Sequence, residues 1–408
     1  MHSAVAVHHD HVTDSRLTVM SAESVRPVRS AILAASAEAV PTPDDDRSPG
    51  VAWHYGDPLG EQRTASRGVA VVDRSDRSVI ELAGPERLSW LHTISSQHVT
   101  DLADRRSAEN LSLDLNGRIE DHFVLTDIDD VTWIDTEQFR GRALADFLTK
   151  MVFWAQVTPA TRDDMAVLTL IGPDARSGPV ADLLEIPADA DVYAAGDLPE
   201  RHHDDEPLGF WRVMPPIGEG RTTPVVDVVV PRDDLQAWWS AITAAGARPA
   251  GMWTYEALRV AAGRARLGID TDERTIPHEA DWIGDPTQQG AVHLNKGCYR
   301  GQETVSRVAN IGRAPRRLVL LHLDGSADDR PTTGDAVTAG DRSVGRVGTV
   351  VDHFELGPIA LALVKRTVPV DAELTAGGAA ARIDDDLFVP DDTVPAGRAA
   401  QDRLRGRA

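Results

Sequence analysis

The sequence has a single cysteine, Cys298, among 408 residues. One cysteine excludes a disulfide within the chain and any zinc or iron–sulfur site built from several cysteines of one chain. No run of about 18 apolar residues occurs, so we expect no membrane-spanning segment. The N-terminus also has no continuous apolar stretch of the kind that a secretory signal needs. A cytoplasmic location is therefore the simplest expectation.

Basic residues are scarce relative to acidic ones. Lys and Arg number 42 and Asp and Glu number 64, which gives a formal net charge of -22. This balance argues against general nucleic-acid binding, because a polyanion repels an acidic surface. Aromatic residues make up only 5%, but 42% of the chain is hydrophobic, which is enough for a sizeable core. A chain of this length has room for roughly two or three domains. Nothing in the sequence indicates more than a monomer.

Composition divides the chain into four parts. Residues 1–49 are small and polar with scattered histidines, which predicts a disordered tail. Strand and helix patterns alternate through residues 50–310, which predicts a mixed α+β module. Residues 311–390 contain short strands separated by Gly, Pro and Asp, which is typical of a small β-barrel or sandwich. Residues 391–408 are polar and Arg-rich, and we expect a flexible tail.

A turn at Asn116-Gly117 predicts a β-hairpin, since this dipeptide is the strongest short hairpin signal. On the return strand, alternation places Asp121 and Phe123 on one face. An acid on an apolar face needs a partner or a ligand. Asp121 is thus a sharper candidate for a site residue than its neighbour Glu120, although ordinary solvent-facing polar residues are an alternative.

The stretch 293–317 is basic within an acidic chain and contains Cys298. From residue 295 to residue 317 its only acid is Glu303, and its basic residues are Lys296, Arg300, Arg307, Arg313, Arg316 and Arg317. Cations beside a thiol favour the thiolate, which is the reactive and metal-binding form. An inert, buried cysteine is the alternative. The arginines would either bind an anion or pair with acids elsewhere in the chain.

The run Lys296-Gly297-Cys298-Tyr299-Arg300-Gly301-Gln302-Glu303 resembles the Lys-Gly-Cys-Tyr-x-Gly-Gln-Glu signature of the YgfZ-type folate-binding proteins. The resemblance extends over roughly residues 51 to 370. That family is related to the T-protein of the glycine cleavage system, an aminomethyltransferase that uses tetrahydrofolate. The resemblance implies an α+β, T-protein-like three-part ring, with two mixed α+β subdomains, a small C-terminal β-barrel and folate at the centre.

The same resemblance implies a function. It points to a tetrahydrofolate-binding accessory protein for the assembly or repair of iron–sulfur clusters in client enzymes, including a radical enzyme that modifies tRNA. Cys298 is the implied functional residue, either as a redox thiol or as a ligand of a cluster shared with a partner. A folate-dependent one-carbon transferase or demethylase is the alternative within the same fold. A scaffold whose basic loop docks a protein or RNA partner is a third reading.

The resemblance also implies a set of site residues. Folate contacts are expected from Asp121, Glu120, Lys296, Arg300, Gln302, Arg313 and Arg316, with Arg317 as a further candidate for the glutamate tail. No metal site is expected. Two departures matter, because T-proteins carry Gly-Gly-x-x-Asp-Asp and Tyr-Thr-Gly-Glu-Asp-Gly segments. The matching runs here are residues 116–121, which keep an acid at Asp121, and residues 220–225, which lack the glutamate. Glycine cleavage is therefore not expected, and the pterin contact must differ.

Overall fold

The computed structural model describes residues 29–43, 47–199, 209–326 and 330–387. The α-helices within these ranges are α1 (Ala31–Ala35), α2 (Pro58–Arg67), α3 (Arg87–Ile94), α4 (Gln138–Lys150), α5 (Gly178–Leu183), α6 (Leu235–Ala244), α7 (Met252–Ala261) and α8 (Gln302–Asn310). The short 3-10 helices are Pro173–Arg176, Glu219–Arg221, Arg232–Asp234, Pro277–Glu279 and Pro286–Gln288. The strands up to the middle of the chain are β1 (Val40–Pro41), β2 (Ala52–His54), β3 (Ala70–Asp73), β4 (Ser78–Ala83), β5 (Arg106–Leu113), β6 (Ile119–Ile128), β7 (Val131–Thr136), β8 (Thr158–Thr161) and β9 (Met165–Ile171). The later strands are β10 (Ala195–Asp197), β11 (Phe210–Ile217), β12 (Thr223–Pro231), β13 (Arg248–Ala250), β14 (Arg316–Leu323), β15 (Ala336–Ala339), β16 (Arg342–His353), β17 (Gly357–Lys365), β18 (Leu374–Ala376) and β19 (Ala379–Ile383).

A five-stranded antiparallel sheet has the order β5-β6-β7-β4-β8. One face carries alternate apolar residues such as Phe123 and Leu125, and these pack with Leu91 of α3 and Leu144 of α4 in one buried cluster. The period of two residues along β6 leaves His122 on the opposite face, because neighbouring side chains in a strand point to opposite sides. The sheet therefore separates a helix-covered apolar face from a polar face.

A six-stranded sheet has the order β10-β11-β12-β9-β3-β13. Only the β13–β3 pair is parallel, and the other pairs are antiparallel. Leu168 and Val228 lie in a large buried cluster with Val180 of α5 and Trp238 of α6. The two sheets supply the mixed α+β layers that the sequence predicts between residues 50 and 310.

The segment before residue 50 is only in part the tail that the sequence predicts. Ser30 caps α1 by accepting a hydrogen bond from the backbone N–H of Ile32, and Ile32 is buried in the same cluster as the second sheet. Strand β1 pairs with β2. Burial of one apolar turn against a preformed core outweighs the polar composition of the segment, and this contact lies too far away in the sequence to be read locally. Residues 1–28 lie outside the described residues.

The C-terminal strands form a closed barrel in the order β14-β17-β16-β15-β18-β19. Val319 and Leu321 of β14 face a core inside the barrel, and Leu318 and Leu320 pack in a second cluster that joins the barrel to α7 and the first sheet. Burial on both faces explains the continuous apolar run of this strand. The predicted barrel is confirmed, although the sequence did not indicate β18. The tail predicted over 391–408 lies outside the described residues.

Candidate functional site

A cavity lies where the first sheet, the second sheet and the segment after α7 meet. Its empty volume is about 720 Å³. The polar face of β6 contributes His122, β12 contributes Asp227, and Trp282 and Tyr255 add flat aromatic surface. The cavity is thus a narrow space with polar and aromatic walls.

Buried ion pairs form most of the cavity wall. Arg77 bridges Asp135 and Glu137, and Arg212 bridges Asp135 and Asp227. The whole network contains equal numbers of cations and anions, six of each: Arg74, Arg77, Arg212, Arg259, Arg264 and Arg266, with Glu109, Asp135, Glu137, Asp227, Glu256 and Asp270. The formal charge of these ion pairs is zero, and Asp76, which is buried close to Arg266, Arg74 and Arg77, adds one carboxyl group to the region. A neutral polar ligand suits such a wall better than a strongly charged one.

The paired arginines keep the buried carboxylates ionised. Burial raises the pKa of Asp135, but Arg212 and Arg77 outweigh burial and bring the pKa to about 2. For Glu137, burial is likewise outweighed by Arg266 and Arg77, and its pKa is also about 2. Both oxygens of Asp135 are engaged: Oδ1 pairs with Nη2 of Arg212 at 2.5 Å, and Oδ2 pairs with Nε of Arg77.

His122 is held firmly in this wall. Its Nε2 lies 2.9 Å from Oε2 of Glu109 on the neighbouring strand β5, and its ring stacks on Trp282 with centroids 4.5 Å apart and planes 6° apart. Oε1 of Glu109 accepts hydrogen bonds from the Tyr193 hydroxyl at 2.9 Å and from Nη2 of Arg264 at 2.6 Å. The sequence gave no reason to prefer His122 over its neighbours, because these contacts come from distant segments.

Asp121 lies on the other face of the first sheet. Its Oδ1 accepts a hydrogen bond from Nε of Arg140 in α4 at 2.8 Å, and its Oδ2 accepts one from the hydroxyl of Ser112. Asp121 is 2% exposed and does not line the cavity. The acid on the apolar face does have a partner, as the alternation requires, but the partner is an arginine of a covering helix. The predicted contact between Asp121 and a ligand at the centre does not agree with this placement.

The loop around Cys298 is fixed to the tip of the predicted hairpin. Gly301 precedes α8 with φ +83°, and Gly117 in the β5–β6 turn has φ +75°. A Cβ on Gly117 would lie 2.8 Å from Cβ of Thr304, so glycine permits the close approach of turn and helix. Cys298 is a free, exposed thiol. Its exposure rules out the alternative of an inert buried cysteine.

The side chain of Lys296 is held by backbone carbonyl groups and is not a partner of the Cys298 thiolate. Its side chain is buried, and Nζ donates hydrogen bonds to the backbone oxygens of Ser95 at 2.6 Å, Gln97 at 3.0 Å and His92. These carbonyls lie at the end of α3, where helix carbonyls lack intrahelical partners. Burial lowers the pKa of Lys296, and the three carbonyl oxygens oppose that shift because they accept the ammonium hydrogens. Lys296 therefore caps a helix and anchors the loop.

Arg300 and Glu120 face each other across the loop and the hairpin. Nη1 of Arg300 donates to Oε2 of Glu120 at 2.9 Å, and both side chains are about one-third exposed. Glu120 lines a surface depression that also includes Leu267, and Leu267 lines the central cavity as well. The loop is thereby linked to a depression that shares one lining residue with the central cavity. Gln302 starts α8, and its Nε2 lies 3.4 Å from the backbone oxygen of Lys296.

Arg316 is committed to two acids. Its guanidinium binds Asp272 at 2.6 Å and Glu279 at 2.8 Å, and these contacts raise its pKa. Arg316 therefore fixes the first barrel strand to the segment after α7, in agreement with the ion-pair alternative. Arg317 donates to the backbone oxygen of Val368 at 2.8 Å. Arg313 is exposed in the turn between α8 and β14.

Three imidazoles lie beside the cysteine loop. The ring centroids of His92 and His98 are 4.7 Å apart, and those of His98 and His293 are 5.4 Å apart. Burial, with Lys296 nearby, lowers the pKa of His92 to about 4. In the part of the chain that the structure describes, no group of three His, Cys, Asp or Glu side chains is arranged to hold a metal ion. Over the same residues no helix is both long and apolar enough to cross a membrane.

Comparison with known proteins was made on sequence and on structure. A family model described as the CAF17 C-terminal β-barrel domain matches residues 316–389. An aminomethyltransferase of Xanthomonas campestris pv. campestris (strain 8004) is 29% identical over 286 residues, which cover 66% of this chain and 72% of that protein. An aminomethyltransferase of Stenotrophomonas maltophilia (strain R551-3) is 27% identical over 344 residues, which cover 78% and 87%. The crystal structure of glycine cleavage system aminomethyltransferase T from Bartonella henselae superimposes with a TM-score of 0.72 at 16% identity, over 87% of this chain and 95% of that one.

The chain has the aminomethyltransferase T fold with a CAF17-type C-terminal barrel. The predicted α+β class and three-part architecture are confirmed. The resemblance to aminomethyltransferases is supported, and the narrower likeness to YgfZ-type proteins rests on residues 296–303.

The cavity can be tested for its fit to tetrahydrofolate, the cofactor that this fold implies. The pyrimidine half of a tetrahydropterin is planar, and the ring system is uncharged and rich in N–H donors. The carboxylate acceptors and paired arginines of the wall, with the rings of Trp282 and Tyr255, suit such a ring. The residues therefore fit the pterin, whereas the rest of folate would need the adjoining depression, whose empty volume is about 1170 Å³.

Proposed function

We propose that the protein binds tetrahydrofolate and serves the assembly or repair of iron–sulfur clusters in client enzymes, among them tRNA-modifying radical enzymes. The observation that carries this proposal is an exposed thiol, Cys298, in an eight-residue signature loop. Arg300 of that loop pairs with Glu120 in a surface depression that shares Leu267 with the cavity suited to a pterin. The fold and the relatives support folate as the ligand. Client enzymes and cluster-assembly proteins would be the partners.

On this proposal the chain's residues divide the work. The carboxylates of the wall, Asp135 and Asp227 among them, are the acceptors available to the pterin's N–H groups, and Trp282 and Tyr255 pack beside the ring. Glu120 lines the adjoining depression and accepts a hydrogen bond from Arg300, and Gln302 begins α8 in the same loop. Bound tetrahydrofolate would supply one-carbon or reductive chemistry near its ring nitrogens.

Arginines near the adjoining depression are candidates for the glutamate tail, since a guanidinium suits a carboxylate. Arg118 and Arg346 line that depression. Arg313 is exposed just after α8, the helix that follows the cysteine loop. Arg316 is a poor candidate because Asp272 and Glu279 already neutralise it.

Calorimetric titration with 5-formyltetrahydrofolate tests the ligand. Wild type and Asp121→Asn should bind with similar affinity, because Asp121 faces α4. Met214→Trp should weaken binding at least about tenfold, because Met214 lines the cavity from β11 and the larger ring fills it. Absence of binding by the wild type would refute folate as the ligand.

Complementation tests the role of the thiol. In cells that lack the protein, wild type should restore the activity of an iron–sulfur enzyme, and Cys298→Ala should not. Tyr299→Phe, in the same loop, is the control because it leaves the thiol in place. Full restoration by Cys298→Ala would remove the thiol from the proposal.

A one-carbon transferase is the second candidate. The observation in its favour is that this chain matches two-thirds or more of the length of two relatives that are aminomethyltransferases. Incubation of the protein and tetrahydrofolate with a panel of methylated amines should then yield a one-carbon folate. Product no greater than in a protein-free control would count against this candidate.

A further inference from the structure

The central cavity contains a histidine that the proposed function does not use. His122 projects from the polar face of β6, lines the cavity and has 18% of its side chain exposed. Glu109, which lies diagonally opposite on the neighbouring strand β5, is buried behind it, and Trp282 covers one face of its ring. Glu109 and Trp282 fix the orientation of His122, and its ring still lines the cavity, so His122 is placed to contact a ligand bound there.

Glu109 determines which ring nitrogen of His122 carries the proton. Burial raises the pKa of Glu109, but Arg264 and the hydrogen bond from His122 outweigh burial and bring that pKa to about 2. Glu109 is therefore a carboxylate at neutral pH and can only accept hydrogen bonds. Nε2 of His122 must donate to it across 2.9 Å. In the neutral ring, Nδ1 is then the nitrogen that carries the lone pair.

Trp282 fixes the orientation of the imidazole. The two rings are nearly parallel, 6° apart, with centroids at 4.5 Å. Rotation about the bond that joins the imidazole to the rest of the side chain would break both this stack and the hydrogen bond to Glu109. Tyr193 and Arg264 hold Glu109 in turn, so the acceptor at Nδ1 is preorganised.

We propose that His122 accepts, through Nδ1, a hydrogen bond from an N–H group of the ring that occupies the central cavity. This inference rests on the proposed function, and it replaces Asp121 with His122 as the residue of the hairpin that contacts the ligand. An uncharged ring with an N–H donor at its edge is the class of ligand that this arrangement selects.

The proposal makes binding depend on pH. Protonation of Nδ1 turns the acceptor into a donor, so affinity should fall in acid. Two charged groups lie next to His122: Glu109 contacts it directly, and Arg264 contacts Glu109. The other charged groups of the cavity wall are Arg74, Arg77, Arg212, Arg259, Arg266, Asp135, Glu137 and Asp227. The carboxylates among these with pKa values near 2, Glu109, Asp135 and Glu137, stay ionised over the range in which a histidine titrates.

Calorimetric titration with 5-formyltetrahydrofolate between pH 5 and pH 8 tests the proposal. The wild-type Kd should rise at the acid end of this range, by up to about tenfold per pH unit once Nδ1 is protonated. His122→Asn should bind about tenfold more weakly at pH 7.5 and lose this pH dependence. His322→Asn is the matched control, because Nε2 of His322 also lies 2.8 Å from a carboxylate, that of Asp384, but in the barrel. It should keep the wild-type profile.

A second measurement uses only the wild-type protein, so it does not depend on whether a variant folds. In wild-type protein with ¹⁵N-labelled histidine, saturating 5-formyltetrahydrofolate should shift one Nδ1 resonance. Binding without any such shift, or an unchanged affinity and pH profile in folded His122→Asn, would overturn the role of His122 and leave the proposed function standing. Failure of the wild type to bind at all would refute both.

Discussion

Gly301 lies so close to Gly117 that a Cβ atom on Gly301 would come within 2.8 Å of the Cα atom of Gly117. Both residues have positive φ, +83° and +75°. The contact joins the tip of the β5–β6 hairpin to Gly301, the residue immediately before α8 and three residues after Cys298. The thiol is thus positioned by the same hairpin whose strands carry His122 and Glu109 into the central cavity. The glycines of the signature loop are not equivalent, because no atom lies within 4 Å of a Cβ built on Gly297.

Gly301→Ala should therefore destabilise the protein. The positive φ alone costs a non-glycine residue about 1–2 kcal/mol, and the backbone contact adds to that. Gly297→Ala is the control, and it should change the free energy of unfolding by less than about 0.5 kcal/mol. Urea unfolding of the two variants beside wild type would measure the difference, and equal effects would contradict the close approach.

Replacement of Lys296 should act on stability and leave the chemistry of the thiol unchanged. Lys296→Met leaves three backbone oxygens at the end of α3 without their donor, which should cost about 2–4 kcal/mol. Lys150→Met, at the exposed end of α4, should have little effect. The rate at which Cys298 reacts with a thiol reagent should be the same in Lys296→Met as in wild type under conditions where both are folded. A marked slowing would restore Lys296 as a thiolate partner.

The central ion pairs predict loss of stability in acid. The pKa values of Glu109, Asp135 and Glu137 in the folded protein are about 2, below those of an unfolded chain, which are near 4. A carboxylate whose pKa is lowered by folding stabilises the folded state at pH values above its unfolded-state pKa. This contribution is lost as the pH falls through its folded-state pKa. The free energy of unfolding should therefore drop by a few kcal/mol between about pH 5 and pH 2. Glu109→Gln should have a shallower pH slope, and an unchanged slope would show that this carboxylate does not contribute.

Asp76 should behave in the opposite way. It is buried, its Oδ1 accepts no hydrogen bond from the described residues, and burial raises its pKa to about 6 even though Arg266 lowers it. At pH 7 the folded protein must hold an unfavourable charge, so Asp76→Asn should stabilise it by about 1–3 kcal/mol. The gain should disappear below about pH 4, where the wild-type residue is protonated in both states. Thermal or urea unfolding at the two pH values would measure it, and a destabilised variant at pH 7 would show that the charge has a partner.

Local patterns in the sequence were sufficient for much of the fold. The Asn116-Gly117 turn, the alternation along β6 and the short C-terminal strands all depend on near neighbours, and each was predicted. The burial of α1 was not, because the helix that it packs against, α6, begins only at Leu235. Most arginines of the cavity wall gave no local signal either, since their acids lie in distant segments; Arg259 and Glu256, three residues apart, are the exception.

The sequence by itself determined that Cys298 sits in a glycine-bracketed signature loop and that the acid Asp121 on an apolar face needs a partner. Only the tertiary structure decided what that partner is. Asp121 faces Arg140 under a helix, and the strand's period of two then directs His122, its neighbour, into the cavity. Likewise the charge of Lys296 was evident in the sequence, but the three carbonyl oxygens that bind it belong to the end of α3, about 200 residues earlier in the chain. Alternation and charge are properties of neighbouring residues, whereas the choice of partner depends on which surfaces the packed layers bring together.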